Sequence, residues 1–538
     1  MLVDSRALPD GAEIRSDVCI VGAGAAGITI ALELDGTGLD VALFESGGLE
    51  PDPRTQALYQ GTTSEPYASP LDESRFRYFG GSTSRWAGWC RRLDPLDFAA
   101  RPWVPDSGWP FGPGDLEPHY LRALEICQVD DASIGTGVHS AWPLNPELLN
   151  TSRFRLSPPT AFGTVYRDAV ASSRNVTAYL NANATALEAN ESRRSIERMA
   201  ITTLDGKRFT ASSRIYILAC GGIENARLIL ASARGDGIAV GNTRDLVGRY
   251  YMDHPALFAG IFEPHADAPS PALYTTPHVA NPARETRHTA GFTLAGDVLA
   301  REGLLGSVVR FVPRPAFSLN SDWDSPAVAS ARRFASAIVK RKRLGHSARH
   351  INRATGGAVA AARAVFRAAH HTMMPRTLLA LRAWVESAPN PENRVTLSRH
   401  HNALGPMAHV RWRTGSGEHR ALERLLDILD EEVRRRGYGR INSLLSREDS
   451  EARFQPGASH HMGTTRMHDS PAHGVVDGNC RVHEVGNLYV AGSSVFPTCG
   501  YANPTLTIVA LAVRLAEEMK RALAPHGASG FSSFPIEN

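Results

Sequence analysis

A glycine-rich turn near the start of the chain constrains its fold more than any other feature. Residues 17–27 read DVCIVGAGAAG, an apolar run followed by three glycines in the pattern G-x-G-x-x-G. The apolar run is typical of a buried parallel strand. In this pattern Gly22 permits a tight turn, Gly24 lets the backbone approach a pyrophosphate, and Gly27 lets the next helix pack close to the strand. The start of that helix, at Ala25, offers N–H groups to the phosphates.

The residues that follow complete a β-α-β unit. Residues 28–34 (ITIALEL) continue as an apolar helix, and VALFESGG then forms a second strand that ends at Glu45. Glu45 lies 21 residues after Gly24, where a carboxylate that binds a ribose hydroxyl is expected. An acid in this place argues against a 2′-phosphate, but the motif does not distinguish NAD from FAD. We expect Glu45 and the neighbouring Ser46 to contact the nucleotide.

Length and composition predict a two-domain globular protein. The chain has 538 residues, of which 43% are hydrophobic and 21% charged, and its formal net charge of +3 indicates no particular partner and no nucleic-acid binding. No stretch of about 18 apolar residues and no signal peptide is apparent, which predicts a cytoplasmic protein. The six cysteines are scattered without a C-x-x-C pair, so we expect reduced thiols and no metal site.

Periodicity predicts further elements along the chain. Residues 174–218 alternate as strands do, with DGK as a hairpin turn, and 251–312 and 383–413 show similar alternation. Helices are predicted at 113–130, 222–234, 416–437 and 504–523, the third strongly amphipathic.

Several segments, taken with the glycine turn, resemble the glucose–methanol–choline (GMC) oxidoreductases, which are FAD enzymes that oxidise alcohols. The combination of MGTTRM with ANPT is most similar to the pyranose oxidase and fructose dehydrogenase branch of that family. The segments that carry the resemblance are GGSTSRWAG (80–88), ILACGGIENARLIL (217–230), DLVGRYYMDHP (245–255), PNPENRVTLS (389–398), HHMGTTRM (460–467), NLYVAGSSVFP (487–497) and ANPTLTIVALAVRLAE (502–517).

The resemblance implies an α/β fold with a Rossmann-like FAD-binding domain and an α+β substrate domain built on an antiparallel sheet and helices. The FAD-binding domain is expected at 1–250, with a flavin-edge loop at 76–98, and again at 451–525, and the substrate domain at 251–450. Besides the residues of the first β-α-β unit, the positions implied to hold FAD are Gly81, Ser82, Arg85, Trp86, Ala87, Gly88, Ala219, Gly221, Asn225, Gly492, Ser493, Asn503, Pro504 and Thr505.

The same resemblance implies the catalytic residues. Oxidation of an alcohol removes a hydroxyl proton, for which histidine is a suitable base, and a hydride, which goes to flavin N5. The family's base lies three residues before Gly463, which selects His460 rather than His461. The residue before Pro504 is the second catalytic position, so Asn503 is expected to hold the substrate oxygen. Asn503 is also a favourable helix N-cap, and both roles are compatible.

Two positions depart from the branch. Arg85 stands where a histidine bonds covalently to the flavin, so we predict non-covalent FAD, and Ala87 stands where a threonine lies near N5, which leaves reaction with O2 open. His461, Trp384 and Tyr501 are candidate substrate contacts, although core packing is the alternative for the two aromatic residues.

A basic segment has no counterpart in the family pattern. Between Asp324 and Glu386 the chain has twelve basic residues and no acidic one, and the helical composition of 326–376 suggests an insertion in the substrate domain. Residues 332–353 are a candidate docking surface for an anionic membrane or an acidic partner. The alternatives are a solvated surface and a site for an anionic substrate.

These features predict an FAD-dependent enzyme that oxidises a hydroxyl, in a sugar, glycoside or polyol and most simply a secondary one, to a carbonyl. The electron acceptor is left open among O2, a quinone and a protein. The alternatives are a lyase of the hydroxynitrile type without net redox change, and an electron-transfer subunit docked on a membrane or partner.

Overall fold

The structure is a computed structural model, and it describes residues 1–64, 70–129, 142–158, 160–275, 278–281, 286–315, 377–445 and 458–524. The strands in chain order are β1 (Leu2–Asp4), β2 (Glu13–Val21), β3 (Val41–Phe44), β4 (Gly61–Thr63), β5 (Trp89–Cys90), β6 (Leu149–Leu156), β7 (Val176–Leu180), β8 (Asn183–Ala189), β9 (Ile196–Thr202), β10 (Arg208–Leu218), β11 (Ala256–Pro264), β12 (His278–Asn281), β13 (Thr286–Leu294), β14 (Ser307–Pro315), β15 (Thr377–Val385), β16 (Arg394–Asn402), β17 (Gly405–Arg411), β18 (Gly439–Ser443) and β19 (Leu488–Val490). The α-helices are α1 (Ala25–Glu33), α2 (Pro53–Ala57), α3 (Pro95–Phe98), α4 (Pro113–Ile126), α5 (Phe162–Val165), α6 (Arg167–Ser172), α7 (Gly221–Ala231), α8 (Ala272–Thr275), α9 (Gly296–Glu302), α10 (Ser416–Arg435) and α11 (Thr505–Leu523).

The first sheet carries the glycine-rich turn. Its strand order is β1-β7-β3-β2-β10-β9-β8, with β19 beside β10. In this order, each neighbouring pair from β1 through β7, β3 and β2 to β10 is parallel, and β19 also pairs in parallel with β10. Strands β9 and β8 continue the sheet with antiparallel pairing. Helix α1 follows β2 directly, and its apolar residues are buried, as are those of α11. This arrangement confirms the Rossmann-like part of the predicted fold.

The second sheet is antiparallel throughout. Its order is β18-β11-β15-β14-β13-β6-β5, with β12 beside β13. Helix α10 contributes its predicted apolar face to the core of this sheet, including Leu422, Leu425 and Leu429. The ring of Trp142 is buried there among three phenylalanine rings at centroid distances of 5.5–5.6 Å. The predicted substrate sheet is therefore confirmed in its antiparallel character.

Two pairings depart from the order of the chain. Strands β5 and β6 lie within the range 1–250 but pair in the second sheet. A third sheet, β16-β17-β4, joins residues 61–63 in parallel to residues 408–410. The division into 1–250, 251–450 and 451–525 stays a prediction.

The predicted helices at 113–130, 222–234, 416–437 and 504–523 are confirmed as α4, α7, α10 and α11, with ends that differ by a few residues. The predicted hairpin is confirmed too, since β9 and β10 pair antiparallel and Gly206 in its turn has a φ of +97°. The basic segment 326–376, including 332–353, lies outside the described residues. Within the described ranges, no helix combines the length and the apolar character that crossing a membrane requires.

Candidate active site

The carboxyl ends of β2, β3 and β10 open onto a cavity of about 590 Å³. Its lining includes the glycine-rich turn, the flavin-edge loop, the start of α7 and the loop that carries His460, together with the end of β3, part of β15, the loop after β19 and the start of α11. Most predicted site residues therefore meet in one place. The predicted residues in the lining are Gly22, Gly24, Ala25, Glu45, Gly81, Ser82, Arg85, Trp86, Ala87, Ala219, Gly221, Trp384, His460, His461, Gly492, Ser493, Asn503, Pro504 and Thr505.

Three residues that were predicted to contact the cofactor do not line the cavity but support the packing of its wall. A Cβ at Gly27 would lie 1.9 Å from the carbonyl oxygen of Gly22, so this glycine allows α1 to approach the turn. A Cβ at Gly88 would lie 2.7 Å from the Ser157 oxygen. The fully buried Asn225 donates to the Ala491 carbonyl (3.1 Å) and thereby joins α7 to the loop after β19.

Ser46 and Tyr501 are also placed beside the main cavity. Ser46 lines a small adjoining cavity, where its hydroxyl accepts a hydrogen bond from Arg77 Nε at 2.6 Å. The Tyr501 hydroxyl donates to Asp94 Oδ2 at 2.7 Å, and its ring is buried. Core packing thus accounts for the Tyr501 ring.

Glu45 is buried at the end of β3 and is held by two backbone amides. The amide of Ala23 donates to Oε2 and that of Gly47 to Oε1, each at 2.9 Å. Burial raises the pKa of Glu45, against the effect of these hydrogen bonds. The carboxylate is therefore fixed at the edge of the cavity next to the glycine turn.

An arginine cluster behind the flavin-edge loop was not predicted. Arg75 lines the cavity and donates to Glu224 Oε1 at 2.9 Å, and its guanidinium lies 4.1 Å from the ring centre of Tyr59. Although Glu224 is buried, Arg227, Arg75 and Arg77 hold its pKa well below the usual range. No local motif marks these residues, because the cluster joins segments about 150 positions apart.

The two predicted catalytic side chains are neighbours. Asn503 Nδ2 lies 3.3 Å from His460 Nε2, and both residues line the cavity. The backbone amide of His460 donates to Asp253 Oδ1 at 2.8 Å, which fixes the loop. Burial, with His254 and His461 nearby, lowers the pKa of His460 well below its ordinary value, so the ring is neutral at pH 7.

A third histidine, which was not predicted as a site residue, lies behind His460. The Nδ1 atoms of His254 and His460 are 2.9 Å apart, and His254 Nε2 is 3.0 Å from the carbonyl oxygen of Gly500. Burial lowers the pKa of His254 to about 4. The motif DLVGRYYMDHP contains this residue, but nothing local in the motif reveals the contact.

His461 has different neighbours from His460. Its ring stacks on Tyr251 with centroids 6.0 Å apart, and its carbonyl oxygen accepts from Ser493 Oγ at 2.7 Å. Burial lowers the pKa of His461 to about 3. Its Nε2 is buried at the cavity wall and has no hydrogen-bond partner among the described residues.

One wall of the cavity is aromatic, and an arginine lies against its rings. Trp89 and Trp384 line it, with ring centroids 5.8 Å apart. The Arg310 guanidinium lies 4.7 Å from the Trp89 ring centre and 5.5 Å from that of Trp384. Burial, together with Arg382, lowers the pKa of Arg310 to about 10, so it remains a cation at pH 7.

The cavity fits FAD. At Gly24 a Cβ would meet nothing within 4 Å, so the backbone there is open to a phosphate, and α1 and α11 both begin at the wall. The partnerless Nε2 of His461 offers a hydrogen bond to a bound group. Glu45 lies where a ribose hydroxyl is expected, as the turn before it requires.

Comparisons with known proteins agree with this geometry. A family model described as FAD dependent oxidoreductase matches residues 17–338, and one described as GMC oxidoreductase matches 389–512. The 6'''-hydroxyparomomycin C oxidase of Streptomyces lividus is 28% identical over 96% of this chain and 93% of its own length. The paromamine 6'-oxidase of Streptomyces fradiae is 27% identical over 93% and 90%. Pyridoxine 4-oxidase from Mesorbium loti has the same fold, with a TM-score of 0.56 at 17% identity over 93% of this chain and 98% of that one.

The fold and cavity define an FAD-dependent oxidoreductase. The chain belongs to the GMC oxidoreductase family, and it is an FAD enzyme that oxidises alcohols.

Proposed function

We propose that this protein oxidises a hydroxyl group of a sugar or glycoside, with His460 as the base and Asn503 as the residue that holds the reacting oxygen. The observation that carries the assignment is the 3.3 Å approach of Asn503 Nδ2 to His460 Nε2 at the cavity wall. A substrate hydroxyl that lies beside this pair, within hydrogen-bond distance of both atoms, gives its proton to Nε2 and receives a hydrogen bond from Nδ2. The amide donor stabilises the negative charge that develops on the oxygen.

Bound FAD supplies the acceptor for the hydride that leaves the carbon. The residues that would hold it are Gly22, Gly24 and Glu45 for the adenosine and phosphates, and the flavin-edge loop with Pro504 and Thr505 for the ring. The N-terminus of α11 places its positive dipole end toward this region, which favours negative charge there without a basic side chain. We propose that the cofactor is bound without a covalent link, because Arg85 stands at the linking position.

The arginine that lies against the aromatic wall favours an uncharged sugar over a polycationic one. The two Streptomyces relatives are named as a 6'''-hydroxyparomomycin C oxidase and a paromamine 6'-oxidase. In this chain, Arg310 lies against Trp89 and Trp384, and among the described residues its guanidinium donates to the backbone carbonyl of Thr275 at 3.3 Å rather than to a carboxylate. A cationic amine on the substrate would be repelled there, whereas sugar C–H faces stack well on the indole rings.

A substrate panel tests the assignment. Purified holoenzyme is mixed anaerobically with neutral hexoses, their glycosides and paromamine, and the yellow flavin absorbance is recorded. We expect neutral sugars to bleach the band and to turn over with O2 or an artificial dye, the ratio of the two giving the preferred acceptor. Bleaching by paromamine alone would overturn the substrate class, and no bleaching together with cyanohydrin cleavage would replace the oxidoreductase by a lyase.

A further inference from the structure

His254 is held in a position from which it decides which nitrogen of His460 carries the proton. The segment before it pairs with the catalytic loop, since the backbone amides of Met252 and Met462 donate to each other's carbonyl oxygens at 3.0 and 2.9 Å. The His254 side chain is fully buried. Its ring meets that of His460 edge to face, with an interplanar angle of 89° and centroids 5.0 Å apart.

The chemistry of the two contacts allows one proton arrangement. A carbonyl oxygen only accepts, so the 3.0 Å contact with Gly500 requires a proton on His254 Nε2. A buried neutral ring then presents an unprotonated Nδ1, which accepts. The 2.9 Å contact between the Nδ1 atoms therefore requires the donor to be His460 Nδ1. Because neutral His460 has one ring proton, its Nε2 is left unprotonated, and that atom faces Asn503.

We infer that His254 is a positioning residue that fixes the tautomer of His460 in which Nε2 is free to accept the substrate proton. The inference rests on the proposed role of His460. In the reaction the substrate O–H bond breaks and the proton forms a bond to His460 Nε2, while bound FAD would accept the hydride from the carbon. His254 neither gains nor loses a proton, because its Nε2–H stays on the Gly500 carbonyl while its Nδ1 accepts from the imidazolium.

The nearby acidic groups do not replace His254 in this role. Asp253 Oδ1 accepts from the backbone amide of His460, not from its ring. Glu386 is occupied by a two-point contact with Arg101, at 2.8 and 2.5 Å, and by the amide of Gly306 at 2.9 Å. In the described part of the chain, His254 is thus the residue that holds His460 Nδ1.

Three substitutions separate positioning from packing. In His254→Asn the side-chain oxygen can take the place of Nδ1 and still accept from His460. In His254→Gln the amide nitrogen can take the place of Nε2 and still donate to Gly500, but nothing accepts from His460. His254→Leu keeps volume and removes both contacts. Each variant is purified as holoenzyme and measured for FAD content, thermal midpoint, kcat and KM.

We expect His254→Asn to keep kcat within about tenfold of wild type, while His254→Gln and His254→Leu lose about 10²-fold or more, within the range for an impaired general base. KM should change little in all three, because Asn503 is untouched. Equal kcat for the Asn and Gln variants, or loss of FAD from all three, would overturn the inference and make His254 a packing residue. The His460→Ala variant separates failure of the proposed function from failure of the inference about His254. If His460→Ala keeps activity, the proposed function is wrong. If His460→Ala is inactive and His254→Leu is active, only the inference about His254 is wrong.

Discussion

At the scale of single residues, the adjacent histidines of the catalytic loop have different surroundings. His460 faces Asn503 and is held from behind by His254, whereas His461 stacks on Tyr251 and its Nε2 has no partner among the described residues. We therefore propose different tasks for the two rings. His460 takes the substrate proton, and His461 meets a bound group at the cavity wall.

We accordingly expect His460→Ala to reduce kcat about 10²–10⁴-fold, the usual effect of losing a general base. His461→Ala should reduce it far less and act mainly on the affinity for FAD. Stopped-flow and steady-state rates, with FAD content measured by absorbance, check this. Equal losses of kcat in two fully loaded variants would contradict the assignment of the base.

The buried histidines also predict how stability depends on pH. The pKa values of His254 and His461 are lowered by burial to about 4 and about 3, while unfolded histidine titrates near ~6.5. Protonation thus favours the unfolded chain, and the stability from these groups is complete above pH ~6.5 and is lost as the pH falls toward 4. In urea unfolding from pH 7 to 4, the free energy of unfolding of the wild type should therefore fall relative to that of His254→Leu, which lacks one of these buried imidazoles.

Two variants check the origin of this slope. Burial raises the pKa of Asp253 to about 7, so protonation of this group favours the folded chain as the pH falls, and Asp253→Asn should make the acid loss steeper. His400→Asn is the matched control, because His400 is exposed, and it should leave the slope unchanged. The same dependence on pH in the wild type and in His254→Leu would contradict the prediction.

The sequence predicted His460 and Asn503 but not the residues around them. The catalytic pair lies in contiguous motifs, whose spacing is visible along the chain. His254 and His460 are 206 positions apart, and their contact depends on the pairing of Met252 with Met462, which no periodicity reveals. Arg75 was missed for the same reason, since its partner Glu224 lies on a distant helix.

At the scale of elements, the glycine-rich turn combines two constraints that can be separated. Gly27 lies where α1 crosses the turn, and an added Cβ would be 1.9 Å from a backbone oxygen. Gly24 has open space around its Cβ position, and its φ of −85° suits any residue. Of these two glycines, Gly27 is required by the packing of the protein itself, whereas Gly24 is expected to be required only by the ligand.

Gly27→Ala should therefore destabilise the apoprotein and prevent loading, because backbone atoms must shift to admit the methyl group. Gly24→Ala should leave the apoprotein's thermal midpoint unchanged and weaken FAD binding. Thermal unfolding of FAD-free protein, followed by fluorescence titration with FAD, separates the two effects. Tight FAD binding by Gly24→Ala would show that the phosphates do not approach this glycine.

Individual helices and strands were easier to predict than the pairing of strands in the sheets. Helix α10 was evident because its leucines recur at helical spacing, and the hairpin of β9 and β10 because DGK separates two alternating runs. The parallel pairing of β4 with β17 was not, since two short strands more than 340 positions apart carry no signal of each other. Likewise, β5 and β6 join the second sheet through partners that come later in the chain.

At the scale of the whole molecule, the first sheet holds the nucleotide end of the cavity, and Trp89 and Trp384 of the second sheet form its aromatic wall. Arg85 lines the cavity between them, with its guanidinium 5.2 Å from the Phe76 ring centre. Arginine lacks the nucleophilic ring nitrogen through which a histidine would bond to the flavin. The cofactor is therefore expected to be retained by contacts alone.

Acid precipitation of the holoenzyme should leave the yellow colour in the supernatant. The same result is expected after denaturation in guanidinium followed by filtration. Colour that stays with the protein pellet would indicate a covalent link at another residue and would contradict the role given to position 85.

The basic segment 326–376 is a feature of the chain to be tested separately from the cavity. If residues 332–353 dock on an anionic membrane, each cation near its surface contributes about 1 kcal/mol. Replacing Lys340, Arg341, Lys342 and Arg343 by alanine should then reduce co-sedimentation with phosphatidylserine vesicles by orders of magnitude, with dye-linked turnover of a neutral sugar unchanged. An increased KM for anionic substrates alone would assign the segment to the substrate, and no change in either would leave it a solvated surface.

The last strand of the first sheet has a consequence for how the protein is made. Strand β19 enters beside β10 at residues 488–490, and the loop and helix that follow it carry Asn503 and Thr505. During synthesis, Gly22 and Glu45 leave the ribosome more than 450 residues before these partners do. The nascent chain must therefore keep an open half-site through most of its translation, and the coenzyme is captured only once nearly the whole polypeptide has emerged.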